Sequence, residues 1–355
     1  MLFVKWASSS RAVRVFLQLV IKQFYDNQAH QKFFVRYKPK LVIVGSMGLD
    51  ADGFALFEAR ENSIPSVVLT QTWDRSTCKG FPPISPNYVF AWSKNMADEI
   101  HHYLDIPRNR ILIEGATVWD HLFKTDRVEN REMFINSLGL NPKMPVIYFP
   151  LTSKFWHADL LKTLQFFGDQ LQENSEFFQF QFIFRLHPYY WSDEHSRLEL
   201  EAILDKISQN QRTYVDLNKT KDLRDGHMLE PEDMVFQKNC YYHSDVCISV
   251  ASTCMIESIM CGTPSINMQY GRWVTGDKDV EIRNFVLHHL QRIYRFNAIY
   301  QSFSAVETLR LINEVLQNPQ KLRGQMKALI NSEASVNKSM ATMKTAEQLV
   351  KLSKV

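Results

Sequence analysis

Residues 243–271, HSDVCISVASTCMIESIMCGTPSINMQYG, constrain this chain more than any other stretch. Residues 246–250 form an apolar run rich in β-branched side chains, the pattern of a strand buried on both faces. Ser252 and Thr253 follow, residue types that cap helix N-termini by accepting a backbone N–H. The spacing predicts a short helix over 255–261, ended by Gly262 and kept from continuing by Pro264, then a second buried strand over 265–268. Strand, capped helix and strand in that order make one parallel α/β unit. The free N–H groups and positive dipole end of such a helix suit a phosphate. Glu257, one turn on, could accept from ribose hydroxyls. The plainer reading is that Ser252 and Thr253 only cap and Glu257 is only solvated.

The same alternation runs through the chain. After a helix over 9–34, strands are expected at 41–44, 67–69, 88–91 and 111–113, separated by helices at 54–62 and 95–104, with a further helix at 130–138. A turn-rich segment, GLNPKMP at 139–145, reads as a linker. The pattern then restarts with strands at 146–149, 180–184 and 214–217, helices at 159–173, 198–208 and 232–242, and a polar loop at 218–231. Helical tail segments cover 305–317 and 320–352. The expected division is a first domain over 1–140, a second over 141–320 and a helical tail over 321–355. Two successive doubly wound domains would present their strand C-termini to one cleft, where open α/β sheets bind ligands.

Composition excludes several classes. At 355 residues, 45% hydrophobic and 22% charged, the chain can bury a sizeable core. A net charge of +3, without a long basic run, a zinc-finger or a helix-turn-helix pattern, argues against a nucleic-acid partner. Of the five cysteines, four (Cys240, Cys247, Cys254 and Cys261) recur every seven residues, but no C-x-x-C pair occurs. They read as small buried hydrophobes in a reducing compartment, and no metal site is expected. No segment has the roughly 18 uncharged apolar residues of a membrane span. The N-terminal apolar stretch is broken by Arg11, Arg14 and Lys22 with no cleavage-like site after it, so the expected location is cytoplasmic. In 11–25, Val13, Phe16, Leu17, Val20 and Phe24 share a helical face. That face could touch anionic lipid as a peripheral contact; packing against its own domain is the favoured expectation.

Two further segments carry chemistry. Arg185-Leu186-His187-Pro188 ends a predicted strand. Arginine offers a planar fork for phosphate, and histidine can donate to phosphate or move a proton; a structural strand-end histidine is the plainer reading. Trp73-Asp74-Arg75-Ser76-Thr77-Cys78-Lys79-Gly80 puts a ring, a carboxylate, hydroxyls and cations in one loop after a strand, which suits a sugar or phosphate; an ordinary polar turn is the alternative. The glycines around Asp50 and Asp52 are too irregular for a G-x-G-x-x-G fingerprint, so no nicotinamide cofactor is expected, and there is no P-loop. Ser252 has no G-x-S-x-G elbow around it. The pairs His101–His102 and His288–His289 read as solvated helix surface.

Four segments together, SVVLTQTWDRSTCKG (66–80), PLTSKFWH (150–157), FRLHP (184–188) and DVCISVASTCMIESIMCGTPSI (245–266), resemble GT-B glycosyltransferase-type proteins of bacterial surface carbohydrate synthesis. The group is related to the CDP-glycerol glycerophosphotransferases and to capsule transferases with an HP motif. The resemblance covers roughly residues 38–320. It implies two Rossmann-like domains facing a cleft and a transferase moving a glycosyl or phospho-polyol group from a nucleotide-activated donor to a hydroxyl of a carbohydrate or lipid-linked acceptor. It implies no metal or other cofactor. On the matching positions, Arg185 and His187 would meet the donor phosphates, Ser252 and Thr253 the pyrophosphate, and Glu257 the ribose. Trp73, Thr77 and Lys79 would lie on the acceptor side; Asp74 and Asp50 are the implied base candidates, with His187 a third catalytic group. One departure stands out: the family's first domain opens with a strand and a glycine loop ahead of the helix at 9–34, so here it reads as shortened. Two other functions compete. A nucleotide-sugar 2-epimerase shares the fold, but carries an H-x-E-x-G-type segment where this chain has Thr70-Gln71-Thr72-Trp73-Asp74. A catalytically inactive nucleotide-sugar-binding or scaffold protein would fit the shortened start.

Overall fold

Short β-branched and aromatic runs become parallel strands here, most of them followed by a helix. The computed structural model describes residues 10–24, 28–47, 50–78, 81–152, 159–173, 179–187, 194–217, 231–275, 278–281 and 287–354. The chain falls into two units, Met1–His121 with Leu287–His289 and Asn331–Val355, and Leu122–Val286 with Leu290–Ile330. The first takes in the last helix of the sequence, which had been expected as part of a separate tail from 321.

The first unit holds β1 (Val42–Val44), β2 (Ser66–Leu69), β3 (Tyr88–Ala91) and β4 (Ile111–Ile113). They pair in parallel in sequence order, β1-β2-β3-β4. Val67, Val68, Val89 and Phe90 are buried, and the Trp92 and Trp119 rings meet edge-on at 4.7 Å. Trp92 Nε1 donates to the Thr70 carbonyl at 2.7 Å, so the indole's polar end is satisfied inside the core. The expected helix over 9–34 is two helices, Arg11–Lys22 and Gln28–Tyr37. The expected segment over 320–352 is likewise Arg323–Glu333 and Ala341–Leu352. Between those two, Asn337 and Ser339 take positive φ, which a continuous helix cannot accommodate. Gly115 sits at φ +89°, and a Cβ there would lie 2.3 Å from the Val336 carbonyl oxygen. Only glycine lets the chain after β4 pass this close to the segment leading into the last helix. Asp120 then accepts from the Ala341 and Thr342 N–H groups at 3.0 and 2.8 Å, capping that helix from a distance in sequence.

The second unit holds β5 (Val146–Pro150), β6 (Gln181–Arg185), β7 (Thr213–Asp216), β8 (Val246–Ser249), β9 (Ser265–Met268), an antiparallel pair β10 (Arg272–Thr275) and β11 (Lys278–Glu281), and β12 (Tyr300–Ser302). The main sheet is parallel, in the order β12-β9-β8-β5-β6-β7. The chain starts at the centre, winds out through β6 and β7, returns to β8 beside β5 and winds out the other way. β5 and β8 therefore flank a topological switch point, outside whose strand C-termini open α/β sheets bind ligands. One sheet face is aromatic: Phe182 and Phe184 stack at 5.2 Å and pack with Phe149 and Phe167. The alternate residues Tyr148, Arg185 and Cys247 lie on the other face. Two successive parallel α/β units of this kind are Rossmann-like. The pair β10 and β11, the helix His288–Tyr294 and the strand β12 had no expectation in the sequence.

Candidate active site

At the switch point, β8 ends in Ser249 and the chain turns through 250–253 into the helix Cys254–Met260. Ala251 has φ +42°, a conformation unfavourable for any residue with a Cβ and kept only where neighbours enforce it. The enforcing neighbour is Asn267, almost fully buried on β9, whose Oδ1 accepts from Ala251 N at 2.8 Å. Asn267 Nδ2 is in turn held by Tyr294 and Gln301, each at 2.9 Å. Ser252 Oγ accepts from the Cys254 N–H at 3.3 Å, while Thr253 is helical in backbone and caps nothing with its side chain. Of the two predicted caps only Ser252 therefore engages the helix start.

Glu257 is half-buried, and its Oε2 accepts from the Tyr241 hydroxyl at 2.8 Å. Burial, together with the nearby charges of Cys254 and Glu257, holds the Tyr241 phenol well above its ordinary range, so it stays protonated and donates. Burial and the Glu257 charge likewise push the Cys254 thiol up to about 11. The cysteines are free, and Cys240 and Cys247 are fully buried thiols raised by burial. The Tyr148 hydroxyl on β5 and Ser249 Oγ on β8 are buried and have no hydrogen-bond partner among the described residues. Orphaned hydroxyls cost about 1–3 kcal/mol each. Here they lie on the two strands that flank the switch point.

Arg185 is 4% exposed. Its guanidinium reaches Asp216 at 3.1 Å and Asp233 at 3.4 Å and lies over the Phe236 ring at 5.1 Å. Burial opposes its charge, but Tyr148, Asp216 and Asp233 outweigh that and raise its pKa, so it stays ionised. Its fork is thus occupied within the second unit, by the end of β7 and the helix Pro231–His243. His187, two residues on, is exposed. The end of FRLHP at Pro188 lies outside the described residues, as do 153–157 of PLTSKFWH.

In the first unit, Trp73 is buried and its ring meets His289 edge-on at 4.7 Å. Thr77 Oγ1 pairs with His289 Nδ1 at 2.9 Å, and Ser76 Oγ donates to Glu99 at 2.6 Å. Asp74 is half-buried at the turn into the helix Arg75–Cys78, which its carbonyl starts by accepting from Thr77 and Cys78 N–H. Arg75 is buried and lies near Asp52, whose carboxyl burial raises against the pull of that cation. Asp50 begins the helix Asp50–Glu61, with its side chain outside the described residues, and Lys79 is outside them too. Trp73, Thr77 and His289 therefore meet, and Ser252 and Glu257 share one short segment. His289 corrects the expectation of a solvated His pair: it is 3% exposed. The signal was present, since Leu290 and Ile293 are apolar at the spacing that turns His289 inward. Tyr241 and Asn267 had no local signal, because each meets its partner 16 residues away in sequence.

The two Rossmann-like units, one with a switch point flanked by these groups, define the GT-B class of fold. Solved structures bear this out. The chain is similar to a UDP-GlcNAc 2-epimerase from Neisseria meningitidis bound to UDP-GlcNAc (14% identity, TM-score 0.59, covering 92% of this chain and 80% of that one). It is similar to a variant of the wall teichoic acid polymerase TagF (12% identity, TM-score 0.55, 89% and 73% covered) and to a glycosyltransferase from Rickettsia africae (11% identity, TM-score 0.52, 97% and 83% covered). No family model matches the chain, and no curated protein matches it. At these identities the likeness is one of fold.

Proposed function

We propose that this chain binds a nucleotide-activated sugar or polyol on its second unit and transfers the glycosyl or phospho-polyol group to a hydroxyl of a carbohydrate or lipid-linked acceptor, in bacterial surface polysaccharide synthesis. The observation that carries the reading is the meeting of a strained Ala251 turn and a Tyr241-held Glu257 at the β5/β8 switch point. A carboxylate already fixed by a phenol is a preorganised acceptor for ribose hydroxyls. The buried hydroxyls of Tyr148 and Ser249 supply further polar partners. His187, exposed past β6, donates to the donor phosphates, and Ser252 completes the pyrophosphate contacts. Arg185 serves as a positioning residue, locking the ends of β6 and β7 through its carboxylates. Asp74 or Asp50 takes the acceptor proton. Structures of similar fold bound to UDP-GlcNAc and to UDP support the ligand class.

A second reading, nucleotide-sugar 2-epimerase, is favoured by the fold likeness to the meningococcal protein. Against it, the loop after β2 offers Thr70, Gln71, Thr72 and Trp73 and neither a His nor a Glu. Incubation with UDP-GlcNAc, CDP-glycerol and other activated donors, followed by NMR, separates the readings. Release of nucleotide only when an acceptor is supplied supports the transferase. Conversion of UDP-GlcNAc to its 2-epimer without an acceptor overturns it, and binding without any turnover leaves an inactive nucleotide-sugar binder.

A further inference from the structure

The helix Arg11–Lys22 turns only part of its apolar surface toward the first unit. Its half-buried side carries Val13, Leu17 and Val20 together with Arg14 and Gln18, and the two polar groups fix it to the first unit. Arg14 forms a two-pronged pair with Asp105 at 2.8 Å for both contacts, and Gln18 Nε2 donates to the Pro82 carbonyl at 2.7 Å. A second set of apolar side chains is left outside: Val15 is 42% exposed, Phe16 62%, Leu19 59% and Phe24, just past the helix, 81%. Apolar residues thus lie on both sides of this helix, whereas a surface helix of a globular domain ordinarily keeps its outer side polar.

The next helix, Gln28–Tyr37, continues the surface. His30 turns inward against Phe54, and Phe33, Val35 and Tyr37 are 48%, 69% and 64% exposed. Lys32 lies over the Phe33 ring and Arg36 over the Tyr37 ring, at 5.5 and 5.2 Å. Cations stacked on exposed rings present an apolar body and a charged tip together, the arrangement of side chains at a membrane–water boundary. The charge is as uneven as the apolarity. Residues 1–49 hold eight Lys and Arg against the single acid Asp26, a net +7, in a chain whose total is +3.

We propose that this face docks on an anionic lipid surface, with the aromatic and aliphatic side chains entering the headgroup layer and the basic ones meeting lipid phosphates. Charge complementarity selects this occupant: a second copy would set one basic segment against another, whereas anionic lipid attracts polybasic segments. An apolar insertion and a polybasic patch are the two signals that peripheral attachment needs.

The test is co-sedimentation of the full chain with vesicles of phosphatidylcholine alone and of phosphatidylcholine mixed with phosphatidylglycerol, at low and high salt. The proposal expects binding at least about tenfold stronger to the anionic vesicles, weakened by salt. Phe16→Ser with Leu19→Ser, and separately Lys32→Ser with Arg36→Ser, each lower it by about tenfold or more. Because these side chains are exposed, the thermal midpoint and nucleotide affinity stay unchanged, which separates this proposal from the nucleotide site. Equal binding to both vesicle types, no binding to either, or binding indifferent to both double substitutions overturns it. So does a lipid-free dimer, seen by sedimentation velocity, that Phe16→Ser with Leu19→Ser dissolves.

Discussion

The Tyr241 hydroxyl donates a 2.8 Å hydrogen bond to Glu257 Oε2, tying the helix before β8 to the helix after it. The bond fixes a carboxylate beside the switch point before any ligand arrives. Tyr241→Phe removes the bond and little else, since the ring keeps its edge-on contact with Tyr148 at 5.3 Å. Nucleotide affinity, read by calorimetry, falls about tenfold, the scale of a hydrogen bond to a charged group. The thermal midpoint changes far less.

Arg185→Met leaves Asp216 and Asp233 facing one another across an apolar side chain. Both keep some solvent, with 20% and 31% of their side chains exposed, so the loss of stability falls below the ~3–5 kcal/mol of a fully buried broken pair. Denaturant unfolding measures it. Asp216→Asn in the Arg185→Met background restores part of the loss, a coupling that a merely space-filling Arg185 would not show.

Gly115→Ala adds a Cβ against the Val336 carbonyl oxygen at φ +89°. The expected cost is about 1–3 kcal/mol from backbone strain alone. Limited proteolysis of the variant then cuts first near 334–340, ahead of the last helix, whereas the parent protein resists there.

His243 is buried, and burial lowers its pKa below the ordinary 6.5 against the raising effect of its bond to the Glu129 carbonyl. The folded protein therefore resists protonation that the unfolded chain accepts. The contribution is fully present above about 6.5 and is lost as pH falls from there toward the lower folded value. The thermal midpoint should fall across that window, and His243→Gln should flatten the slope.

The sequence carried the alternation of elements well, because buried parallel strands are continuous apolar runs: 88–91, 111–113 and 265–268 fold as read. It carried the helix start at Ser252 because capping is a local act. It missed β12 and the helix His288–Tyr294, which are short and acquire their identity from packing on β9 and on the Trp73 loop. It read Arg185 as a phosphate fork, whereas the fold supplies two carboxylates, on β7 and on the helix Pro231–His243, that no spacing near Arg185 announces. Of the N-terminal face expected to pack on its domain, Val13, Leu17 and Val20 are half-buried while Phe16 and Phe24 stay exposed, because periodicity marks which side of a helix is apolar but not how far it meets the domain.

The central claim, that the second unit binds an activated nucleotide through Glu257, is tested most directly by isothermal titration with UDP and with CDP against the parent protein and Glu257→Gln. Binding of at least one nucleotide to the parent, weakened about tenfold or more in a variant that still unfolds cooperatively, is the predicted result. Equal affinity for both proteins, or no binding of either nucleotide to a folded parent, contradicts it.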